Sequence, residues 1–119
     1  MGVKRVVPDI TSQLLPESKA FYRDVFGFEI GMDLGWIVGF VSPTERLAQI
    51  QVISRDATAP VNPEISIQVD DLDAVYAVAV KAGATIVHPI TLEPWGVRRF
   101  FVEDPNGVII NVMTHAATA

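Results

Sequence analysis

Few side chains in this 119-residue chain are equipped for chemistry, and their spacing narrows what that chemistry can be. Glu64 opens an alternating stretch, Glu64-Ile65-Ser66-Ile67-Gln68-Val69, which places Glu64, Ser66 and Gln68 on one strand face. A carboxylate on the inner face of a strand acts as a general base or binds a cationic group. At a strand's first residue it is equally a hydrated surface acid. Arg98 and Arg99 alternate along a later strand; Arg99 shares parity with Phe101 and is the candidate for a ligand carboxylate or phosphate, with a surface salt bridge as the alternative. Trp36 and Trp95 each adjoin a glycine and a loop, and offer ring surface to a pocket. Phe21, Phe40 and Phe100 read as core. His88 precedes Pro89 at the end of a short strand and His115 closes the last one, positions that favour structural or surface roles over ligation.

Several chemistries are excluded at once. With no cysteine there is no disulfide, no thiolate nucleophile and no cysteine-based zinc site. A net charge of −5, with no Lys/Arg run longer than two, leaves no stripe to follow a phosphate backbone, so nucleic acid is not an expected partner. No apolar run approaches the roughly 20 residues of a membrane span. The opening MGVKRVVPDITSQ lacks an apolar signal core, so the expected location is cytoplasmic. Asp70-Asp71 resembles an acidic metal pair, but helix capping explains it. No phosphate-binding glycine loop or nucleophile elbow occurs.

The elements that must position these residues come in two similar sets, about 56 residues apart. In each, a helical pattern runs into a glycine, Gly27 or Gly83, and then into a strand. Two long copies make a duplicated module; a solenoid would need more and shorter units. The first copy predicts a strand over 4–11, a helix over 17–26 with Pro16 in its first turn, and strands near 28–32, 35–42 and 46–54. Proline-rich residues 56–63 read as a linker. The second copy predicts a strand over 64–69, a helix over 72–82, and strands near 85–88, 98–103 and 108–114, with Asp104-Pro105-Asn106-Gly107 as a tight hairpin turn and residues 116–119 as a tail. The expected modules are therefore about 1–55 and 64–115 within one domain, each βαβββ in an α+β fold. One helix covers one face of a small mixed sheet and the other face lines a cleft. By strand parity that inner face carries Val7, Asp9 and Thr11, then Gln49, Gln51 and Ile53, then Glu64, Ser66 and Gln68, and finally Ile109, Asn111 and Met113.

Four segments carry a resemblance: Ala20-Phe21-Tyr22-Arg23-Asp24-Val25-Phe26-Gly27-Phe28, Val69-Asp70-Asp71-Leu72, Ala82-Gly83-Ala84, and Trp95-Gly96-Val97-Arg98-Arg99-Phe100-Phe101 running into Asp104-Pro105-Asn106-Gly107. In this order the chain resembles the vicinal oxygen chelate superfamily of glyoxalase I, extradiol dioxygenases, fosfomycin-modifying enzymes and bleomycin resistance proteins. The resemblance implies one divalent metal, held by a side chain from the first and last strand of each module. Those positions fall on Val7, Gln51, Glu64 and Asn111. Valine cannot ligate and asparagine is a weak donor, which is too few good ligands for a tight first-row metal. The expectation is therefore a metal-free, cofactor-free family member that binds or sequesters a small, partly aromatic molecule. Its candidate contacts are Asp9, Trp36, Gln49, Gln51, Glu64, Ser66, Gln68, Trp95, Arg99, Phe101 and Asn111. The alternative is a metal-dependent or Glu64-dependent lyase, isomerase or dioxygenase, with Glu64 as the catalytic residue. The resemblance also implies a homodimer.

Overall fold

A computed structural model describes residues 2–116; the rest of the expected tail, residues 117–119, lies outside the described residues. The strands and helices follow the order β1 (Val3–Thr11), α1 (Leu15–Phe26), β2 (Glu29–Asp33), β3 (Ile37–Val41), β4 (Gln49–Ile53), β5 (Ile65–Val69), α2 (Leu72–Lys81), β6 (Ile86–Leu92), β7 (Val97–Glu103) and β8 (Ile109–His115). This is βαβββ twice, a mixed α+β fold. Two compact units result: Val7–Asn62, and Met1–Val6 together with Pro63–Ala119.

The two modules repeat one strand order, β2-β3-β4-β1 and β6-β7-β8-β5. In each, the first strand runs parallel to the last, β1 with β4 and β5 with β8, and the other pairs are antiparallel. The parallel pairing requires a long crossover, and the helix is part of it. Both helices stop where the sequence places a left-handed residue. Gly27 has φ 76° and its N–H donates to the Arg23 carbonyl; Gly83 has φ 75°. Pro16 lies in the first turn of α1, and Asp71 caps α2 by accepting from the Ala74 N–H at 3.1 Å.

The cores differ. In the second module Val69, Leu72, Phe100 and Val112 are buried, with Val75, Tyr76 and Ile110 packed against them. In the first, Val38, Phe40 and Val52 meet Leu15, Tyr22 and Phe28. Phe21 is not core as expected: it is 51% exposed, and Tyr22 instead faces Phe40, ring centroids 5.0 Å apart. Apolar residues occupy two stripes of α1. Leu15 and Tyr22, seven apart, meet the sheet, while Phe21 and Val25 form the stripe that does not.

Strand β6 also departs from expectation, continuing through Pro89 to Leu92 where the sequence suggests an end at His88. It is the last strand of its order, so Pro89 withholds no needed donor, and the register shifts on either side of His88 absorb the misfit. The Asp104 turn forms as its sequence demands. The Asp104 carboxylate accepts from the Asn106 and Val108 N–H groups, and Gly107 has φ 81°.

Candidate functional site

In the second module the register sets side chains in straight rows across the sheet. His88 pairs with Phe101, Phe101 with Asn111, and Asn111 with Ser66, one row over four strands. The next row is Thr91, Arg99, Met113 and Gln68. Alternation puts both rows on one face, because Phe100, Val112 and Val69, which bracket these residues, pack with α2 on the other. Ser66, Gln68, Arg99, Phe101 and Asn111 therefore share a face, as strand parity requires. The α2 side holds an apolar cavity of about 330 Å³, walled by aliphatic side chains such as Val3, Ile67, Val75, Val102 and Val112. It offers no group to orient a ligand, so the polar rows are the candidate site.

The arginines split as their alternation demands. Arg98 turns to α2 and grips Asp73 with Nη1 at 3.0 Å and Nη2 at 2.6 Å, which holds the Asp73 carboxyl below its usual range. Arg99 turns the other way and is 1% exposed. Its Nε and Nη2 donate to one oxygen, Oε2 of Glu93, at 2.9 and 2.7 Å. Its guanidinium also lies over the rings of Trp95 and Phe101, 5.0 and 4.8 Å from their centroids. Arg99, the residue expected to receive a ligand anion, thus already holds an internal carboxylate.

Glu93, at 3% exposure, is the residue that sequence reasoning missed. It begins the β6–β7 turn, Glu93-Pro94-Trp95-Gly96, closed by the Glu93 N–H on the Val97 carbonyl at 2.7 Å and by Gly96 at φ 105°. That hairpin brings Glu93 and Trp95 back over Arg99, six and four residues on. The available signal was an acid and an arginine six apart across a Pro and Gly turn. The other oxygen of Glu93, Oε1, lies 3.7 Å from His88 Nε2, too long for a hydrogen bond. His88 is buried and its Nε2 has no hydrogen-bond partner. Its ring meets Phe101 edge to face at 5.2 Å.

Asn111 carries a second mismatch. Its Nδ2 donates to Ser66 Oγ at 3.0 Å, and its Oδ1 is buried with no partner. A buried polar atom left unmatched costs on the order of 1–3 kcal/mol, so this position favours a polar partner. Turning the amide over would only exchange which of its two polar atoms is left over. Arg5 reaches the neighbouring row, its Nη2 3.7 Å from Met113 Sδ.

In the Val7–Asn62 unit Asp9 pairs in register with Gln51, and Gln51 with Gly39; Gln49 pairs with Val41. Asp9 is buried and both glutamines are half-buried. Trp36 precedes β3 on the parity of Val38 and Phe40, the α1 side, and is half-buried. Glu64 lies just ahead of β5 and is exposed, its N–H donating to the Ile109 carbonyl at 2.8 Å. It is placed as a hydrated acid, the second of its two sequence readings.

The family's metal does not fit this donor set. At the four implied positions Val7 has no donor, Glu64 is in solvent, and Gln51 and Asn111 are neutral amides, weak donors to a first-row metal. Among the described residues no three His, Cys, Asp or Glu side chains gather as a metal-holding group.

The sequence profile of the Glyoxalase/Bleomycin resistance protein/Dioxygenase superfamily matches residues 5–112. The chain belongs to that superfamily. Similar solved structures include the NAD-dependent benzaldehyde dehydrogenase from Legionella pneumophila, at 15% identity and TM-score 0.73 over 92% of this chain and 98% of that one. A glyoxalase/bleomycin resistance protein/dioxygenase superfamily member from Vibrio splendidus 12B01 is 19% identical, with TM-score 0.69 over 94% and 98%. Methylmalonyl-CoA epimerase from Mycobacterium tuberculosis is 20% identical, with TM-score 0.68 over 98% and 89%. At such identities these likenesses show a shared glyoxalase fold. No curated protein matches the sequence. No helix of the described residues is long and apolar enough to cross a membrane.

Proposed function

We propose that this superfamily member binds a small, partly aromatic molecule without a metal, on the sheet face opposite α2, and holds it rather than transforming it. The observation that carries this reading is the His88-Phe101-Asn111-Ser66 row, in which two buried polar atoms, Asn111 Oδ1 and His88 Nε2, flank one aromatic ring without hydrogen-bond partners. Such a row gives a ligand ring contact together with convergent polar groups. The donor set at the family's ligand positions supports metal independence, and the exposure of Glu64 leaves it outside the buried polar row.

The test joins two measurements on protein purified without chelators. Elemental analysis is expected to find no stoichiometric divalent metal, and a thermal-shift screen to find aromatic metabolites that raise the melting temperature, since a ligand selective for the native state stabilises it. Stoichiometric zinc, nickel, manganese or iron overturns metal independence. Turnover of a stabilising compound, abolished in Glu64→Gln, restores the enzyme reading. The proposal extends to a homodimer, supported by exposed Phe21, Val25 and Phe26 on α1; light scattering should then give about twice the chain's 13.0 kDa.

A further inference from the structure

The layer between helix and sheet is filled differently in the two modules. In the first it holds rings: Tyr22 lies 5.0 Å from Phe40 and 6.1 Å from Phe28, centroid to centroid. In the second, Tyr76 stands edge to face on Phe100 at 4.9 Å, and the side chains around that pair are mostly Val and Ile. Val102 and Ile110 pair in register, and the next row sets Phe100 beside Val112 and Val112 beside Ile67. Such β-branched side chains are short and nearly fixed at χ1, so they cannot swing inward to replace a ring. The result is the apolar cavity of about 330 Å³ between Val75 of α2, the sheet, Gly2 just ahead of β1 and Val3 at its start. Gly2 and Val3 are exposed, so the cavity opens at that rim. Two hydrogen bonds hold the rim: the Gly2 N–H donates to Asp70 Oδ1 at 2.7 Å, and the Asp70 N–H donates to the Gly2 carbonyl at 3.1 Å.

Protein interiors are packed as densely as organic crystals, and voids larger than a water molecule are few. An apolar void of about 150 Å³ already stays dry and takes up benzene. This cavity is roughly twice that size, falls within the range of small-molecule pockets, and presents no polar side chain to hold water in place. We infer that it is a second ligand site, for an uncharged aliphatic ring or short alkyl chain. A charged or strongly polar group would be stripped of water there with no partner, which selects against it. The eight residues that line the cavity are far fewer than the roughly 20–30 a side of a stable protein interface, so its occupant is a small molecule and not a partner chain. Its walls lie across the sheet from the polar rows, so this second site is independent of the binding reading above.

Cyclohexane and cyclohexanecarboxylate share a ring and differ in charge, so methyl NMR titration of the 13C-labelled protein with each is the test. Cyclohexane is expected to show cross-relaxation with the methyl groups of Val75, Val102 and Ile110, and to bind about tenfold or more tighter than cyclohexanecarboxylate. Val75→Phe, which puts a ring into the space, should weaken cyclohexane binding by about tenfold or more. Val78→Phe, at an exposed position of the same helix, should leave it unchanged. Absence of cyclohexane binding, cross-relaxation confined to other residues, equal affinity for the carboxylate, or a folded Val75→Phe protein that binds cyclohexane undiminished each overturns the second site. Should Val75→Phe not fold, the residues contacted in the unaltered protein decide. Cyclohexane has neither an aromatic face nor a hydrogen-bonding group, so its failure leaves the polar-row reading standing, and failure of the aromatic screen leaves this site standing.

Discussion

The two modules share a strand order and a crossover, yet their corresponding hairpins hold charge in opposite ways. Where β2 turns into β3, Lys19 reaches Asp33 at 2.8 Å, with both side chains more than a third exposed. Where β6 turns into β7, Glu93 and Arg99 meet at 2.7 Å with side chains 2% exposed. An exposed pair contributes about 0–1 kcal/mol and either partner can be lost cheaply. A buried pair adds little net stability but makes each partner dependent on the other. Duplication of a topology thus leaves the chemistry of each copy free: at this hairpin one module keeps its charged pair at the surface, the other encloses it beside its polar row. The helices follow suit, since α1 contains no fully buried residue while α2 anchors Leu72 in the core.

Mutations that strike equivalent places in the two modules would break or sharpen this contrast. The largest effect is expected in the second core, where Phe100→Ala should lower unfolding free energy by about 3–5 kcal/mol, against a small fraction of that for exposed Phe21→Ala. Urea titration of both reads the difference, and equal losses would refute a lopsided core. Next, Glu93→Ala breaks a buried ion pair and should cost about 3–5 kcal/mol, whereas Asp33→Ala, at the surface, should cost little, measured the same way.

At the helix ends the modules should agree. Gly27→Ala and Gly83→Ala each force a Cβ into left-handed backbone and should cost about 1–2 kcal/mol by thermal melting. The cost is conformational and not steric, because a Cβ added at either glycine would meet nothing within 4 Å. The helix starts should differ. Asp71→Ala removes the α2 cap at about 1 kcal/mol, while Leu14→Asp supplies one that α1 lacks and should stabilise by up to about 1 kcal/mol.

The smallest effect is a pH dependence. The Asp104 carboxyl is held below its ordinary 3.8 chiefly by the Val108 N–H, and Asp73 by its bond to Arg98. A depressed folded-state pKa contributes stability above the unfolded value and loses it as pH falls through the folded one. Stability should therefore be level near neutrality and decline below about pH 4, with Asp104→Asn flattening part of that decline. Asp73 is exposed and Asp104 only half-buried, so the slope is shallow.

Much of the scaffold was legible because it is written locally. A glycine after a helical run, a Pro-Asn-Gly turn and strict alternation in Ile65, Ile67 and Val69 each act through their neighbours in the chain. The same alternation placed Ser66, Gln68, Arg99, Phe101 and Asn111 on one face without error. Less was legible where two solutions satisfy the local rules. Apolar residues on two stripes of α1 left its buried side open, and Pro89 looked like a strand end until the edge position of β6 made it harmless.

Glu93 was invisible for a different reason. Between Leu92 and Pro94 it reads as a polar turn residue, and only the hairpin's register and the bulges around His88 deliver its carboxylate to Arg99. Sequence alone determined the duplicated βαβββ grammar, the absence of thiol chemistry and the poverty of metal donors at the family's positions, since these depend on residue type and short-range order. Tertiary structure decided which charges are matched, which amide is left without a partner and which acid stands in water. The meaning of a charge lies in what sits within a few ångströms of it in a low-dielectric setting, and that distance is set by strands far apart in the chain.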